Sequence, residues 1–350
     1  MIATMKALLL SQYRHLEVAE VDRPVVDAGE VLIRVAACGI CGSDVHGYDG
    51  SSGRRIPPIV MGHEASGRIA AVGAGVRGLS EGDRVTFDST VYCGACKHCV
   101  RGEVNLCDRR QVLGVSCQEY RRAGAFAEYV TVPARIVYPL PDNFAFADAA
   151  MLEAVAVAMH AVSLAEIPPG STALVLGAGT IGLLIVQALV VAGCSRVFVT
   201  DIDSSRLKLA LDLGATDGIT AEPDPVAQVL DLTAGEGLDL AVEAVGRNQT
   251  VGAAIGSVRK GGTVVLVGNI SPEVTLPLQK VVTRQIRLQG SCASAGEYPR
   301  AIQLMANGAI RVKPLITAIA PLDEGPQWFE RLYAREPNLM KVVLTPGTFS

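Results

Sequence analysis

The chain has no uninterrupted apolar run approaching the ~18–20 residues that a membrane span requires, although 49% of its residues are hydrophobic. Nor does it carry a cationic surplus: 31 basic residues stand against 35 acidic ones, for a net charge of -4. No basic run of the kind that follows a phosphate backbone is present. These absences argue against a membrane or a nucleic acid as partner. The opening MIATMKALLL runs straight into patterned sequence and lacks a signal peptide's long apolar core and small-residue cleavage site, so a cytoplasmic location is expected. There is no internal repeat and no low-complexity segment. Nine cysteines without an export signal read as metal ligands or buried thiols rather than as a disulfide framework, and six of them fall between Cys38 and Cys107.

With 350 residues the chain exceeds the usual size of a single core, so two domains are expected. Residues 1–154 hold many short β-type runs (MKALLL, LEVAEV, EVLIRVAAC, GRIAAVG, DRVTF, AEYVTVP) punctuated by Gly, Pro and Asp. From Ser171 the texture changes to alternating strand and helix: TALVL, IGLLIVQALVV, RVFVT, SRLKLALDL. That alternation predicts an α/β unit with a parallel sheet over 155–293. Further strands at DGIT, LDLAVEAV, GTVVLVG and QIRLQG bring the count to six, as in a complete dinucleotide-binding (Rossmann) sheet. Residues 294–350, with helical patterns in EYPRAIQLMANG and GPQWFERLYARE and strands in ITAIAPL and MKVVLTP, are expected to return to the first domain.

Between a hydrophobic strand and an amphipathic helix lies Gly177-Ala-Gly179-Thr180-Ile181-Gly182, a G-x-G-x-x-G fingerprint in the context it needs. The first Gly makes the tight turn, the second admits a pyrophosphate and the third lets helix and strand pack closely, with the helix N-terminus as the anion site. Asp201 ends the next strand nineteen residues after Gly182, where a carboxylate accepts the adenosine ribose hydroxyls and repels a 2′-phosphate. NAD is therefore expected over NADP. The bland reading of Asp201 is a helix cap. Arg206 either covers the adenine or is a solvated helix residue.

Cys93-x2-Cys96-x2-Cys99-x7-Cys107 supplies four thiolates at spacings that close a tetrahedral Zn–S4 site. Four protein ligands leave no open position, so this zinc is expected to be structural. An iron–sulfur cluster or a nucleic-acid ribbon would need a second cysteine cluster or a basic patch, and neither is present. His98 inside the lobe is expected at the surface.

The run Cys38-Gly-Ile-Cys41-Gly-Ser43-Asp44-Val-His46 is followed by Gly62-His63-Glu64 and, far downstream, by Leu152-Glu153. Cys41, His63 and a glutamate would give a catalytic zinc its N, S and O ligands with one position open. Taken singly, Cys41 reads as a small buried hydrophobe, His63 as a satisfied core histidine and Glu64 as a paired acid. Taken together and in order, CGICGSDVH, GHEASG, the cysteine lobe, LGAGTIG and VTD resemble the zinc-containing medium-chain alcohol dehydrogenase family over essentially the whole chain.

That resemblance implies a GroES-like catalytic domain joined to the Rossmann domain, two Zn2+ ions per chain, and NAD as the hydride acceptor. It carries zinc ligation to Cys41 and His63 but not to Cys38. Ethanol-type members place a zinc cysteine where this chain has Glu153, so the match is to the sorbitol and threonine dehydrogenase branch, with Glu64 and Glu153 expected to share the remaining coordination. The resemblance further implies proton transfer from the alcohol through Ser43 and the nicotinamide ribose to His46, with Asp44 orienting the zinc-bound histidine. It places cofactor contacts at Val245, Gly246, Val267, Gly268, Asn269, Ser291, Cys292 and Ala293. Tyr48, Arg54 and Arg287 are pocket candidates by resemblance only, while Arg54 and Arg55 by themselves read as an exposed basic loop. A small alcohol with a secondary hydroxyl is the implied substrate and a dimer or tetramer of identical chains the implied assembly. A threonine or butanediol-type dehydrogenase, and a catalytically silent NAD-binding zinc scaffold, stay open at this level.

Overall fold

The computed structural model describes residues 3–117 and 120–347, and its chain divides into two compact units. The first comprises Met1–Glu153, Ser294–Ala306 and Val312–Ser350; the second comprises Ala154–Ala293 and Asn307–Arg311. Of the tail, Ser294–Ala306 and Val312–Ser350 thus belong to the first unit, and Asn307–Arg311 to the second. The helix Leu152–Ser163 carries the boundary.

A seven-stranded sheet organises the first unit, in the order Val137–Pro139, Arg84–Phe87, Glu64–Val72, Glu30–Gly39, Lys341–Thr345, Ile316–Pro321, with Tyr129–Pro133 also paired to Glu30–Gly39. Its central strand, EVLIRVAACG, is buried along nearly its whole length, which is why it reads as a continuous apolar run rather than an alternating one. Ile33, Val35, Met61, Phe87, Phe126 and Phe329 fill the core around it. Two register shifts bring the end of this strand into line with the start of its neighbour, so that Gly39 faces Glu64.

The second unit is a six-stranded sheet in the order Asp217–Thr220, Arg196–Asp201, Thr172–Leu176, Leu238–Glu243, Val258–Leu266, Arg287–Gly290, parallel throughout. This is the doubly wound dinucleotide-binding order, with the chain reversing between the first and fourth strands. Gly177 has a φ of +97°, and a Cβ on Gly182 would lie 1.7 Å from the Gly177 carbonyl oxygen. Those two positions of the fingerprint therefore require glycine for the turn and for close packing.

One stretch, Phe146–Ser163, reaches the length and hydropathy of a membrane span although Asp148, Glu153 and His160 interrupt it. It is 61% buried inside the protein, as a core helix is.

Candidate active site

Cys41 caps the short helix Gly42–Tyr48: its Sγ accepts the Ser43 N–H while the Asp44 carboxylate accepts the Cys41 N–H. This reciprocal cap fixes Cys41, Ser43 and Asp44 relative to one another. His63 and Glu64 enter from the other side, behind Gly62, whose φ of +94° and contact with Phe126 and the Cys38 Sγ leave no room for a side chain. Cys38 is fully buried behind that turn. The ligand atoms of Cys41, His63 and Glu64 lie within 4.8 Å of one another. They suit one zinc ion at Zn–S of about 2.3 Å and Zn–N or Zn–O of about 2.0–2.2 Å, and three ligands leave a position open.

Two buried cation–carboxylate pairs flank this cluster. Lys341 Nζ donates to Glu64 Oε2 at 2.7 Å, to Glu64 Oε1 at 3.0 Å and to the Ile40 carbonyl at 3.1 Å. Arg55 Nη2 donates to Asp44 Oδ1 at 2.9 Å and to Ser43 Oγ at 3.1 Å. His63 lies between them, its Nδ1 3.4 Å from Asp44 Oδ1 and its Nε2 3.4 Å from Ser43 Oγ. Burial alone would raise the Asp44 pKa, but the positive charges of His63 and Arg55 hold it well below the usual carboxylate range. Burial likewise opposes the Lys341 ammonium, and Glu64 outweighs it, so the lysine stays charged above its ordinary range.

Glu153 accepts a 3.4 Å hydrogen bond from Ser89 and is pushed up to about 7 by burial, with Glu64 and Asp88 adding to the shift. Among the described residues it stands outside the converging set of Cys41, His63 and Glu64. The sequence assigns the remaining coordination to both glutamates; strand pairing sets Glu64 directly beside His63 and within reach of Cys41. Asp88, almost fully buried, is raised by burial to about 6. His46 is half-buried on the same short helix, its pKa lowered by burial and by Arg335.

The four cysteines of the lobe also converge, with Cys93–Cys99 and Cys96–Cys99 sulfurs 3.9 and 3.5 Å apart. A tetrahedron with Zn–S of about 2.3 Å has edges of about 3.8 Å, so the set fits one ion. Backbone N–H groups of Ala95 and Cys96 point at Cys93 Sγ, and hydrogen bonding from Ala95 leads the causes that lower this thiol to about 5. Cys93 is thus preset as a thiolate, whereas burial raises the Cys99 thiol.

In the second unit Asp201 ends its strand with Oδ2 accepting the Ala178 N–H at 2.6 Å and Oδ1 the Asp203 N–H at 2.9 Å. It ties the fingerprint loop to the strand end. Glu243, fully buried, accepts the N–H groups of Val245 and Gly246, while its carbonyl accepts those of Val267 and Gly268. One residue at a strand's carboxyl end therefore holds together two of the loops expected to meet the cofactor.

The two halves match two family profiles, the alcohol dehydrogenase GroES-like domain over residues 27–142 and the zinc-binding dehydrogenase over 180–307. Sorbitol dehydrogenase of Bacillus subtilis (strain 168) is 34% identical over 348 residues, 98% of either chain. This chain belongs to the zinc-containing medium-chain alcohol dehydrogenases. Two solved relatives from Escherichia coli share its fold. An oxidoreductase/dehydrogenase of unknown specificity gives a TM-score of 0.92 at 33% identity, covering 98% of this chain and 99% of its own. Galactitol-1-phosphate dehydrogenase gives 0.90 at 30% identity, covering 98% and 100%. Zinc and a nicotinamide dinucleotide are the cofactors of this dehydrogenase.

Within the dehydrogenase several residues lie where the sequence did not place them. Arg55 is no exposed loop residue: it is 3% exposed and paired with Asp44, while its neighbour Arg54 faces solvent. Tyr48 is core, 2% exposed, packed on Phe329 and Tyr333, with its hydroxyl bound to the Arg14 carbonyl and Glu330. Arg287 opens an edge strand beside Thr263, at the end opposite Leu266 and Gly290, where the cofactor loops emerge. Arg206 pairs with Asp203 at 3.6 Å. His98 is half-buried and bonded to Glu103 rather than free at the surface. Sequence reasoning missed Lys341 and Glu243. A charged residue at the end of an apolar strand, Lys341 in KVVLT and Glu243 in LDLAVE, demands a partner when buried, and that is the available signal for each.

Proposed function

We propose that this dehydrogenase oxidises a secondary hydroxyl of a polyol-like substrate (a polyol, a sugar alcohol or its phosphate, or a diol) and passes the hydride to NAD. The observation that carries the reading is the convergence of Cys41, His63 and Glu64 beside Ser43, with the Glu64 and Asp44 carboxylates each paired to a buried cation. The names of the sorbitol and galactitol-1-phosphate dehydrogenase relatives support the substrate class, as does Glu153 where ethanol-type members carry a cysteine. The reading includes a homo-oligomer, dimer or tetramer, in the cytoplasm, on the strength of the family resemblance.

In this reading Cys41, His63 and Glu64 hold the catalytic zinc, Glu153 joins through water, and Cys93, Cys96, Cys99 and Cys107 hold the structural one. Bound there, zinc supplies the Lewis acidity that lets an alcohol lose its proton near neutral pH, and NAD supplies the hydride acceptor. Asp44 faces His63 Nδ1 and so keeps Nε2 turned toward the cluster, the arrangement in which a carboxylate sets a ligand's tautomer. Ser43 takes the hydroxyl proton. His46, whose pKa is lowered by burial and by Arg335, receives it by way of the nicotinamide ribose and releases it to solvent. Asp201 receives the adenosine ribose.

The test is NAD reduction, followed at 340 nm, across a panel of alcohols. Sorbitol, xylitol, 2,3-butanediol or threonine should be oxidised more efficiently than ethanol, and the reverse order would overturn the substrate class. Ser43→Ala should lower turnover by roughly a hundredfold or more while NAD affinity and folding stay as they are. Unchanged turnover would remove Ser43 from the proton path.

A further inference from the structure

Arg55 has no part in ligating a metal, yet its guanidinium is set within the site. Its stem lies across the short helix at Gly47, where a Cβ would come within 2.7 Å of the Arg55 Cγ. Among the described residues one nitrogen of the fork, Nη2, bonds to the site, and it does so to two groups at once, Asp44 Oδ1 and Ser43 Oγ. Its Nε is buried without a hydrogen-bond partner. An unmatched buried Nε also occurs at Arg84, away from the site, so what sets Arg55 apart is that one charged nitrogen reaches both site acceptors at once. The placement therefore serves the two acceptors.

Each acceptor has a separate task in the reading of the site given above, on which this inference rests. Asp44 faces His63 Nδ1, and Ser43 is the proton acceptor. A hydroxyl that accepts a hydrogen bond from Nη2 through one lone pair keeps the other to face the cluster side, where His63 Nε2 lies 3.4 Å from Ser43 Oγ, and can take the substrate proton there as its own O–H proton passes on. We propose that Arg55 is a positioning residue that couples these two tasks, locking the carboxylate that orients His63 and the hydroxyl that takes the substrate proton to a single permanently charged nitrogen. It transfers no proton itself, since a guanidinium stays protonated. Nothing in the loop Ser51-Ser-Gly-Arg-Arg-Ile-Pro-Pro marks the second arginine from the first; only its burial does.

The test compares wild type, Arg55→Gln and Arg55→Lys as full-length, zinc-loaded protein. Three quantities are read: kcat and KM for alcohol and NAD, zinc content, and the rate at which a colorimetric chelator strips the more labile zinc. Arg55→Gln should lower kcat at least tenfold with KM for NAD within twofold, and should speed zinc release by roughly ten- to a hundredfold, the range seen when groups that orient metal ligands are removed. Arg55→Lys, which restores the charge without the fork, should recover part of both losses. A doubly substituted Asp44→Asn, Arg55→Gln protein, in which no buried charge is stranded, should fold with wild-type thermal stability and still show the low kcat. If folded, zinc-replete Arg55→Gln turns over at the wild-type rate, or if activity falls only in proportion to zinc content, Arg55 is a structural residue and the proposal fails. Wild-type protein that holds two zinc ions and oxidises no alcohol would instead overturn the dehydrogenase reading beneath it.

Discussion

The Lys341–Glu64 pair offers the sharpest test of how the catalytic half is held together. Lys341 is 3% exposed and its carboxylate partner 1%, with two N···O contacts of 2.7 and 3.0 Å and a third bond to the Ile40 carbonyl. Lys341→Met keeps the length and apolar stem but strands a buried carboxylate, a change that costs about 3–5 kcal/mol in proteins. The sole tryptophan, Trp328, lies in the helix Gly325–Tyr333 and packs against the core of the same unit, so its fluorescence during denaturant unfolding reports on that unit. The expected loss is about 3–5 kcal/mol in the single variant. In a Glu64→Gln background, where no charge is left to strand, Lys341→Met should cost less than about 1 kcal/mol, and the difference between the two is the coupling energy. The sign with pH follows from the raised lysine pKa: the pair's contribution is fully present below the ordinary lysine range and is lost only as pH rises through the higher folded value. The loss should thus be the same at about pH 6 and pH 9. A single variant within about 1 kcal/mol of wild type, or equal costs in the two backgrounds, would refute the reasoning.

Three further outcomes are expected. Asp88, raised to about 6 by burial, favours the folded state while protonated and loses that contribution as pH rises from about 4 through 6; Asp88→Asn should match wild type at pH 4 and exceed it by up to about 3 kcal/mol at pH 8, and equal differences at both pH values would show that burial does not govern this carboxyl. Asp201→Ser should erode an NAD preference of at least tenfold, about 1.4 kcal/mol, by removing both the ribose acceptor and the bond to the Ala178 N–H; comparable catalytic efficiency with NAD and NADP in the unmodified enzyme would make Asp201 a cap alone. A mild chelator should abolish activity before it lowers the melting temperature, because one zinc set is closed by four thiolates and the other is open; metal analysis finding one zinc or none in active protein would sink that expectation.

What could be read in advance was whatever is local in sequence. The six strands of the nucleotide sheet, the turn at Gly177 and the four-cysteine lobe each announce themselves within about twenty residues, and the short spacing of Cys41, Ser43 and Asp44 is enforced by one helical cap. The cations were not legible because their partners are distant. Lys341 and Glu64 are separated by 277 positions and meet only when Lys341–Thr345 docks against Glu30–Gly39. Arg55 sits in a Gly- and Ser-rich loop whose composition predicts exposure, and tertiary packing against Gly47 overrides it. Tyr48 failed as a pocket residue for the same reason: helical position alone does not say which face Phe329 and Tyr333 will cover.

The docking of Lys341–Thr345 has a bearing on biogenesis. The nucleotide unit is nearly contiguous, Ala154–Ala293 with a five-residue addition, so all of it has been synthesised once residue 311 is added. The first unit is not: its central sheet lacks a strand, and Glu64 lacks its counter-ion, until the segment beyond residue 341 has emerged. A chain truncated before Lys341 would therefore carry every strand of the nucleotide sheet but leave the buried Glu64 carboxylate without its lysine.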